Sequence, residues 1–481
     1  MNGDSNHNVQ RPSIAVSDAA YDEHLVSSMT QNLTLTSALP TNSKCCIYRV
    51  PASLKTPNES SYIPQIVSIG PFHHGSANLQ AMQDQKWIYL KSLLARRPYS
   101  STGEDISSST SIGIAFVQSL RPLEKRAREC YSEKFDKLSS NTFLEMMILD
   151  GCFIIELFVR HRLIMEKSHG REVVDVDPLF STHRLHSNLA WDLILLENQL
   201  PLFVLEHLVS FNHLHRINNI DQEPSSFLKK LALEFFKHRL ALPKTYFDYD
   251  QLQHLENGCH HLLDLLRNCL LIPSGSSNHV TIDIVNEQEE QMETAFIPCA
   301  KDLSFAGIRI KKAMEDNPLN VIYKYIRPAA ELEIPTMSIA ENLLNPLLPN
   351  LVAFEQCHSN CSTQFTSYVW FLLNIIRDDD GVKFLYKQGI IKQLPGCEED
   401  LVLVLKKICS GVTVPRNFYF SELYDRLNKH FGRVEVRWMY VLKTYYFDNP
   451  WTMITLINAM IVLILALLQT VFTVFTYLNE H

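Results

Sequence analysis

The sequence predicts a mainly α-helical globular head with a small β element, followed by one C-terminal transmembrane helix. Three observations predict this fold class. The last part of the chain is a long run without charged residues, two earlier segments are strongly apolar, and short β-branched runs lie between residues 307 and 336. Helical periodicity dominates the head, so we expect the β element to pack on a helical body.

The uncharged run extends from Trp451 to Leu478, a length of 28 residues. A helix of that length reaches roughly 42 Å, against about 30 Å for the hydrocarbon core of a bilayer. Lipid offers no partner to backbone polar groups, so a single span must be helical. The alternative is a buried core helix, but core helices rarely lack charge over this length. Because residues 479–481 alone follow, we interpret the segment as a tail anchor.

Composition places the rest of the chain among globular proteins. The 481 residues are 46% hydrophobic and 20% charged, which is ordinary for a folded protein. The net charge of −8 argues against nucleic acid as a partner, because phosphate binding requires a basic surface. Eleven cysteines without a CxxC pair favour reduced cytosolic thiols over a disulfide framework.

The domain organisation follows from these composition shifts. Residues 1–44 are polar and lack a sustained period, so we expect a flexible N-terminal arm. The head domain is predicted over residues 45–447, the transmembrane helix over 451–478, and a short tail over 479–481. The polar residues 273–296 are the expected place for a long excursion of the chain.

The charges beside the span predict its orientation. Arg433, Arg437 and Lys443 precede it, whereas Glu480 is the charged residue that follows it. The arm also lacks the apolar core of a secretory signal. Both features predict a single-pass protein whose head faces the cytosol. A cytosolic head would leave its N-glycosylation sequons unused; they lie at Asn32, Asn58 and Asn360.

Periodicity and punctuation by proline predict the elements of the head. The predicted helices cover Leu79–Leu94, Phe143–Met165, Leu189–Val209, Ser225–Arg239, Tyr249–Leu271, Leu343–Cys357, Ser367–Arg377 and Glu398–Cys409, and a last amphipathic segment covers Phe420–Phe447. The first of these helices has an apolar face formed by Leu79, Met82, Trp87, Leu90 and Leu93. The predicted strands cover Gly307–Lys311, Asn320–Ile326 and Glu331–Thr336. Pro201 is expected to kink or end the first part of its helix, because it lacks a backbone N–H.

Four acidic residues interrupt the two most apolar helices, and a buried carboxylate must be paired or neutral. These are Asp150, Glu156, Asp192 and Glu197. One interpretation is structural, with salt bridges to partners such as Arg160 and Arg162 or with helix-capping contacts. The other is an acid–base pair of an unrecognised enzyme. We favour the structural interpretation.

No established catalytic signature occurs in the sequence: GxSxG, GxxxxGK[ST], HExxH and GxGxxG are all absent. His73 and His74 allow a general-base or metal-binding role, but a turn with backbone-bonded rings is the favoured interpretation. Two groups resemble zinc ligands without the spacing of a structural site. They are His254, Cys259, His260 and His261, and Cys357, His358 and Cys361. We therefore predict neither a metal nor a cofactor.

Asp378–Asp380 precede a glycine and resemble a fragment of a calcium loop. The alternating ligands and the terminal Glu of an EF-hand are missing. A turn between helices is the expected structure.

The transmembrane segment carries one polar face. At 100° per residue its polar positions fall within about 60° of arc, and a single polar stripe suits a helix–helix contact in lipid. The stripe consists of Thr455, Asn458, Gln469, Thr473 and Thr476. We predict that this face contacts another transmembrane helix, chiefly through Asn458 and Gln469, the alternative being polar residues that lipid merely tolerates.

Several long motifs, in order, resemble the plant domain-of-unknown-function 247 family. They include IYRVP at 47–51, PQIVSIGPFHHG at 64–75, ILDGCFIIELF at 148–158, DLILLENQLPLFVLEHL at 192–208 and YFDNPWTMITLINAMI at 446–461. The resemblance extends over about residues 45–476. It implies a hydrophobic C-terminal span and no known catalytic residues. Some grass members of the family are implicated in pollen–stigma self-recognition, which suggests a recognition role.

These observations together predict a membrane-anchored recognition or scaffolding protein of plants without evident catalytic activity. Its expected partners are the lipid bilayer and another protein, for which a second transmembrane helix is one candidate. The second hypothesis is a membrane-bound enzyme that uses His73 and His74 or the buried helix carboxylates. A third hypothesis places the head outside the cytosol, which the sequons permit but the missing secretory signal disfavours.

Overall fold

The computed structural model describes most of the head and the C-terminal helix. The described residues are 26–27, 29–30, 44–96, 109–167, 179, 183–214, 223–240, 258–271, 297–313, 319–326, 329–336, 346–391, 398–414, 418–442 and 450–480. The predicted arm over residues 1–44 and the predicted excursion over 273–296 therefore lie almost entirely outside them. Residues Cys46–His481 form one compact unit, distinct from Met1–Cys45.

The amino-terminal half of the head is a helical body. Its helices are α1 (Ala52–Lys55), α2 (Ala81–Ala95), α3 (Ser109–Leu120), α4 (Glu124–Glu129), α5 (Ser140–Lys167), α6 (His183–Asp192), α7 (Leu202–Phe211), α8 (Pro224–Arg239) and α9 (Leu262–Leu271). Helix α5 packs against α2, α3, α7 and α8. Its apolar residues surround the helix axis and are buried on every side, which confirms the predicted central helix over Phe143–Met165.

The carboxyl-terminal half is a second group of helices. They are α10 (Ala300–Phe305), α11 (Leu348–Cys357), α12 (Gln364–Ile376), α13 (Asp379–Lys387), α14 (Glu398–Cys409), α15 (Ser421–Phe431) and α16 (Val434–Leu442). Helix α12 packs against α11, α13 and α14, and α9 contacts both α8 and α11. The amphipathic segment predicted over Phe420–Phe447 contains two helices, because helix α15 ends at Phe431 and α16 begins at Val434.

A three-stranded sheet packs on this second group, as the sequence predicts. Its strands are β1 (Ile308–Lys312), β2 (Ile322–Ile326) and β3 (Ala329–Ile334), in the order β1-β3-β2. β1 is parallel to β3, with Ile310 opposite Leu332, and β2 is antiparallel to β3. Ile308 and Ile310 point inward and alternate with exposed Arg309, so the period of two fixes the register.

The helix predicted over Leu189–Val209 is instead two helices, α6 and α7, joined by a non-helical loop at residues 193–201. Pro201 has extended backbone angles and ends the loop at the start of α7. Two side chains replace the helical hydrogen bonds that are lost. The Asn198 amide donates to Asp192 O, and the Gln199 amide donates to the carbonyls of Leu193 and Leu195.

The predicted apolar face of α2 is partly wrong. Leu79, Met82 and Leu93 are buried as predicted, but the Trp87 side chain is 49% exposed and Lys86 is 1% exposed. A lysine can occupy a core position when a carboxylate meets its ammonium group there. The pattern of apolar residues alone does not reveal such a partner.

Helix α17 (Pro450–Glu480) is a single continuous helix of 31 residues. Residues Trp451–Tyr477 within it are long and apolar enough to cross a membrane, and this stretch is not buried against the head. A soluble core helix of that length would bury its apolar side chains. The structure therefore confirms the predicted C-terminal helix as one that can span a bilayer.

Candidate functional site

Two of the four predicted carboxylates, Asp192 and Asp150, bind one segment of backbone that is neither helix nor strand, residues 65–70. Asp192 at the end of α6 accepts hydrogen bonds from three successive amides of this segment. The distances are 2.9 Å from Gln65 N, 2.6 Å from Ile66 N and 2.9 Å from Val67 N. Because the segment forms no strand ladder, these side-chain acceptors satisfy its backbone instead.

Asn198 continues this arrangement from the loop at 193–201. Its Oδ1 accepts from Ile69 N at 2.7 Å, and its Nδ2 donates to Val67 O at 3.1 Å. The PQIVSIG and DLILLENQLP motifs thus bind each other directly. Their polar residues hold two irregular segments together in the core.

Asp150 on α5 and Lys86 on α2 form a buried ion pair with an Nζ to Oδ1 distance of 2.5 Å. Lys86 Nζ also donates to Ser68 O at 2.6 Å, and Asp150 Oδ2 accepts from Gly70 N at 2.9 Å. All polar atoms of the pair are therefore engaged with each other or with segment 65–70. Asp150 thus forms a salt bridge, as the structural interpretation expects, although its partner is a lysine and not the predicted arginine.

Glu197 is the centre of a cluster of basic groups. Its carboxylate accepts from Lys55 Nζ at 3.1 and 2.9 Å and from Val50 N at 3.0 Å, and Arg49 Nη1 lies 3.5 Å away. His73 Nε2 lies 3.4 Å from Oε2, which is long for a hydrogen bond. Burial alone raises the pKa of Glu197, but His73 and Lys55 outweigh it and hold the pKa at about 2. A carboxylate so strongly ionised is a poor proton acceptor at neutral pH.

The two predicted histidines do not act together. His73 lies beside Glu197 with its side chain 13% exposed, whereas His74 is exposed. The turn that contains them ends at Gly75, whose φ is +77°.

Glu156 on α5 binds two arginines. Arg96 Nε lies 2.9 Å from Oε2, and Arg160 Nε lies 2.8 Å from Oε1 one helical turn away. The predicted pair with Arg160 is confirmed. The predicted pair with Arg162 is wrong, because Arg162 binds Glu166 on the outer face of α5 at 2.9 Å.

Asp192 also borders a small cavity of about 230 Å³, lined by Ser60, Ile63, Gln65, Asn188 and Trp191 among others. Burial raises the pKa of Asp192 to about 6, although the three amide hydrogen bonds oppose the shift. A pKa in that range suits a general base. Both carboxylate oxygens are nevertheless occupied by backbone donors.

The two groups of zinc-like residues meet in the fold. The rings of His260 and His358 are 5.3 Å apart between centroids. His358 Nδ1 is hydrogen-bonded to Tyr48 Oη at 2.9 Å, and His261 Nε2 lies 3.0 Å from Cys46 O. No cluster of three metal-ligating side chains occurs among the described residues, and His254 lies outside them.

Burial disfavours the charged form of the thiols beside these histidines. Burial raises the pKa of Cys259 to about 11 and that of Cys361 to about 12. Metal ligation requires the thiolate, so this environment disfavours it.

The turn predicted at Asp378–Asp380 is a helix cap. Asp378 Oδ1 accepts from Gly381 N at 2.8 Å and begins α13, a helix that the sequence analysis did not predict.

The head contains a second buried ion pair that was not predicted from the sequence. Arg267 on α9 binds Glu355 on α11 with an Nη2 to Oε1 distance of 3.0 Å. Glu355 also accepts from the amides of Phe365 and Thr366 at the start of α12. The available signal was a charged residue inside each apolar helix, the same signal that identified Asp150.

The polar face of α17 is exposed along its length. The hydroxyls of Thr455, Thr473 and Thr476 donate to carbonyls four residues earlier in the helix, at 2.7 to 2.8 Å. Asn458 and Gln469 have no side-chain hydrogen bond within the described part of the chain. The threonine hydroxyls are therefore bonded within α17, whereas no such bond occupies the two side-chain amides among the described residues.

Comparison with known proteins places the chain among plant proteins. A family profile described as a plant protein of unknown function matches residues 47–465. A UPF0481 protein of Arabidopsis thaliana is 29% identical over 451 residues, covering 91% of this chain and 87% of the relative. A putative UPF0481 protein of the same plant is 21% identical, covering 89% and 90%. No solved structure matches the chain.

Proposed function

Because this chain belongs to the DUF247 family of plant proteins of unknown function, we propose that it is a membrane-anchored recognition or scaffolding protein. Its head binds another protein, and helix α17 holds the head at a membrane as a single span. The observation that carries the proposal is the apolar stretch Trp451–Tyr477, which packs on no part of the described head. Such a surface is stable in lipid and costly in water.

The chemistry of the head supports recognition over catalysis. Asp150, Glu156 and Glu197 each meet a lysine or arginine, and Asp192 is occupied by backbone amides. These contacts fix the positions of helices and of segment 65–70. They leave a rigid frame whose outer surface is free to bind a partner.

The flanking charges support a head on the cytosolic side. Arg433, Arg437 and Lys443 precede the span, and Glu480 follows it. Positively charged residues beside a span remain on the cytosolic face. The sequon at Asn360 is exposed in the head and provides a natural reporter of this orientation, whereas the one at Asn58 is buried and Asn32 lies outside the described residues.

We also propose that α17 contacts another transmembrane helix, either a second copy or a partner's. Asn458 and Gln469 lie on one face and lack partners among the described residues. Ala459 and Ala466 lie beside them at 100° per residue, while bulky residues such as Ile464 and Leu467 occupy the opposite face. Small residues permit close approach of helices, and amides form hydrogen bonds across the contact.

Proximity labelling tests the proposed function. A labelling enzyme fused to the amino terminus of the full chain should mark a set of membrane-proximal proteins in plant cells. A chain that ends before Trp451 should no longer label these proteins. A chain in which an unrelated leucine-rich span replaces α17, targeted to the same membrane, should again label the proteins that the head recognises. The same labelled set from the intact and the deleted chains would contradict anchoring.

The second candidate function is an enzyme that uses Asp192, and the cavity beside this residue is the observation in its favour. At about 230 Å³ the cavity is smaller than the roughly 300–1,000 Å³ of ordinary small-molecule sites. Asp192→Asn distinguishes the two roles. A structural carboxylate predicts an unstable head, whereas a reactive one predicts a stable head that has lost its function.

A further inference from the structure

We propose that helix α16 lies against the anionic surface of the membrane in which α17 is anchored. Val434 and Trp438 would enter the headgroup region, and Arg433 and Arg437 would bind lipid phosphates and carboxylates. These four residues form the α16 surface. The inference rests on the proposed anchoring by α17 and adds a second contact, which sets how the head is oriented on the membrane.

The apolar part of the α16 surface is open to solvent. The side chains of Val434 and Trp438 are 69% and 70% exposed. Residues four apart lie on the same side of a helix, so the two side chains form one patch. Tryptophan combines a large apolar ring with an N–H donor, which is why it is enriched where lipid meets water.

The opposite side of α16 is attached to the head. Tyr440 Oη donates to Asp302 at 3.2 Å, and its ring lies 5.1 Å from that of Phe431. Val436 is half-buried on the same side. The fold therefore fixes which side of α16 faces outward, and Val434 and Trp438 are held on that side.

Basic groups frame the apolar patch. The Arg433 guanidinium stacks on the Tyr325 ring at 4.4 Å, and Tyr325 is itself 40% exposed. Arg437 is exposed and forms no ion pair with any described residue. A guanidinium held in this way remains available for a phosphate or carboxylate.

The local charge differs in sign from that of the whole protein. Residues 426–449 contain five Lys or Arg and two Asp or Glu, an excess of three positive charges, whereas the chain carries −8. Clusters of this kind beside a span are attracted to anionic lipid. The charge therefore favours an anionic lipid surface over a neutral or basic protein surface of the same shape.

The position of α16 in the chain brings lipid within reach. Trp438 precedes Pro450, where α17 begins, by 12 residues. A connection of 12 residues extends at most about 43 Å. In an anchored chain the α16 surface therefore stays close to the lipid headgroups. The high local concentration of lipid means that even a weak contact is populated.

Fluorescence quenching in lipid nanodiscs tests this inference on the full chain. The nanodiscs contain phosphatidylcholine with brominated acyl chains. Neutral discs contain this lipid alone, and in anionic discs about one lipid in three is phosphatidylserine. The quenching due to Trp438 is the part lost in Trp438→Phe. We expect the quenching of Trp438 to be clear in the anionic discs. Each of the replacements Arg433→Gln and Arg437→Gln should reduce this quenching roughly fivefold, because one basic residue near anionic lipid contributes about 1 kcal/mol.

Two other tryptophans provide the controls. Trp451 lies at the start of the span and should be quenched in both kinds of disc, and Trp87, which is 49% exposed on α2, should be quenched in neither. Quenching of Trp451 without quenching of Trp438 would overturn the inference and leave the anchor intact. Equal quenching of Trp438 in neutral discs would overturn the preference for anionic lipid. Absence of quenching at Trp451 would contradict the anchor itself.

Discussion

At the scale of single residues, the head is fixed by buried charges that meet specific partners. Lys86 and Asp150 are 1% and 2% exposed, and each also binds backbone of segment 65–70. A buried pair of this kind contributes little net stability, because desolvation offsets the attraction. Its consequence is positional: α2, α5 and the segment cannot shift relative to one another without leaving a charge unpaired.

We expect Asp150→Ala to lower the free energy of unfolding by about 3–5 kcal/mol, because Lys86 would then be a buried charge without a carboxylate. Urea denaturation of the detergent-solubilised chain measures this change. The matched control is Glu166→Ala, which removes the exposed partner of Arg162 and should cost less than about 1 kcal/mol. A fully stable Asp150→Ala chain that no longer recognises its partner would contradict the structural role.

Glu197 makes stability depend on acidity. Its pKa is held at about 2 in the folded chain, against an ordinary value of 4.5. The unfolded chain therefore binds the proton more tightly, so the contribution is complete above about pH 4.5 and is lost as the pH falls toward 2. We expect a contribution of about 2 kcal/mol, reduced by the partly exposed partners Arg49 and Lys55.

Comparison of the wild type with Glu197→Gln isolates this dependence, because other groups titrate equally in both chains. The difference between their free energies of unfolding should shrink from pH 5 to pH 2.5. A difference that does not change over this interval would show that Glu197 is not the ionised partner of Lys55.

Sequence reasoning identified these carboxylates because a charge inside an apolar run has few explanations. It did not identify Lys86 or Lys55, since both occur in segments whose composition looks exposed. It placed Trp87 in the core, where Lys86 lies instead. The position of each of these side chains depends on a contact with a residue distant in the sequence. A single sequence does not show which distant residues are in contact.

At the scale of elements, segment 65–70 depends on a glycine. Gly70 has a φ of +72°, and a Cβ there would lie 2.6 Å from Gln199 O. Gly75 has a similar φ of +77° but open space around it. The two positions therefore separate backbone strain from crowding.

We expect Gly70→Ala to lower the free energy of unfolding by about 2–4 kcal/mol, from left-handed strain and the clash together. Gly75→Ala should cost only about 1–2 kcal/mol, from strain alone. Thermal or urea denaturation of the two variants gives the comparison. Equal costs would show that the contact between segment 65–70 and loop 193–201 is looser than described.

The polar face of α17 yields a prediction about association in lipid. Replacement of Asn458 and Gln469 by leucine should weaken a helix–helix contact by about 1–3 kcal/mol, because two interhelical hydrogen bonds are lost. A membrane two-hybrid assay of the full chain, against itself and against labelled partners, measures the change. Ile464→Ala with Leu467→Ala, on the opposite face, is the control. A signal that survives the leucine replacements would reject this face.

Hydrophobic periodicity predicted whether a segment is a helix or a strand, but it did not predict the residues at which each element begins and ends. The long apolar pattern of α5 and the β-branched runs of the sheet were predicted in place. The predicted helix over 189–209 is broken by Asn198 and Gln199, whose side chains satisfy carbonyls that a helix would otherwise use. Hydrophobic periodicity does not detect that side-chain amides have replaced backbone hydrogen bonds, because the loop is about as apolar as the helices beside it.

At the scale of the whole molecule, the chain is a mainly helical head joined to one helix that can span a membrane. Composition alone predicted this division, because a predominantly apolar run of 27 residues without a charge is rare in the core of a head of this size. The α16 surface required the structure, since exposure of Trp438 depends on which side of α16 packs against α10. Both features lead to the same account, in which the membrane is part of the working environment of the head.

Glycosylation mapping in microsomal membranes tests the central claim, that α17 spans the membrane and holds the head in the cytosol. The full chain carries the native exposed sequon at Asn360, and an acceptor sequence is appended after His481. The account predicts a glycan on the appended acceptor and none on Asn360, with Asn360→Gln as the control for band assignment. A glycan on Asn360 would reverse the orientation, and an unmodified appended acceptor would show that α17 does not cross the membrane in this direction.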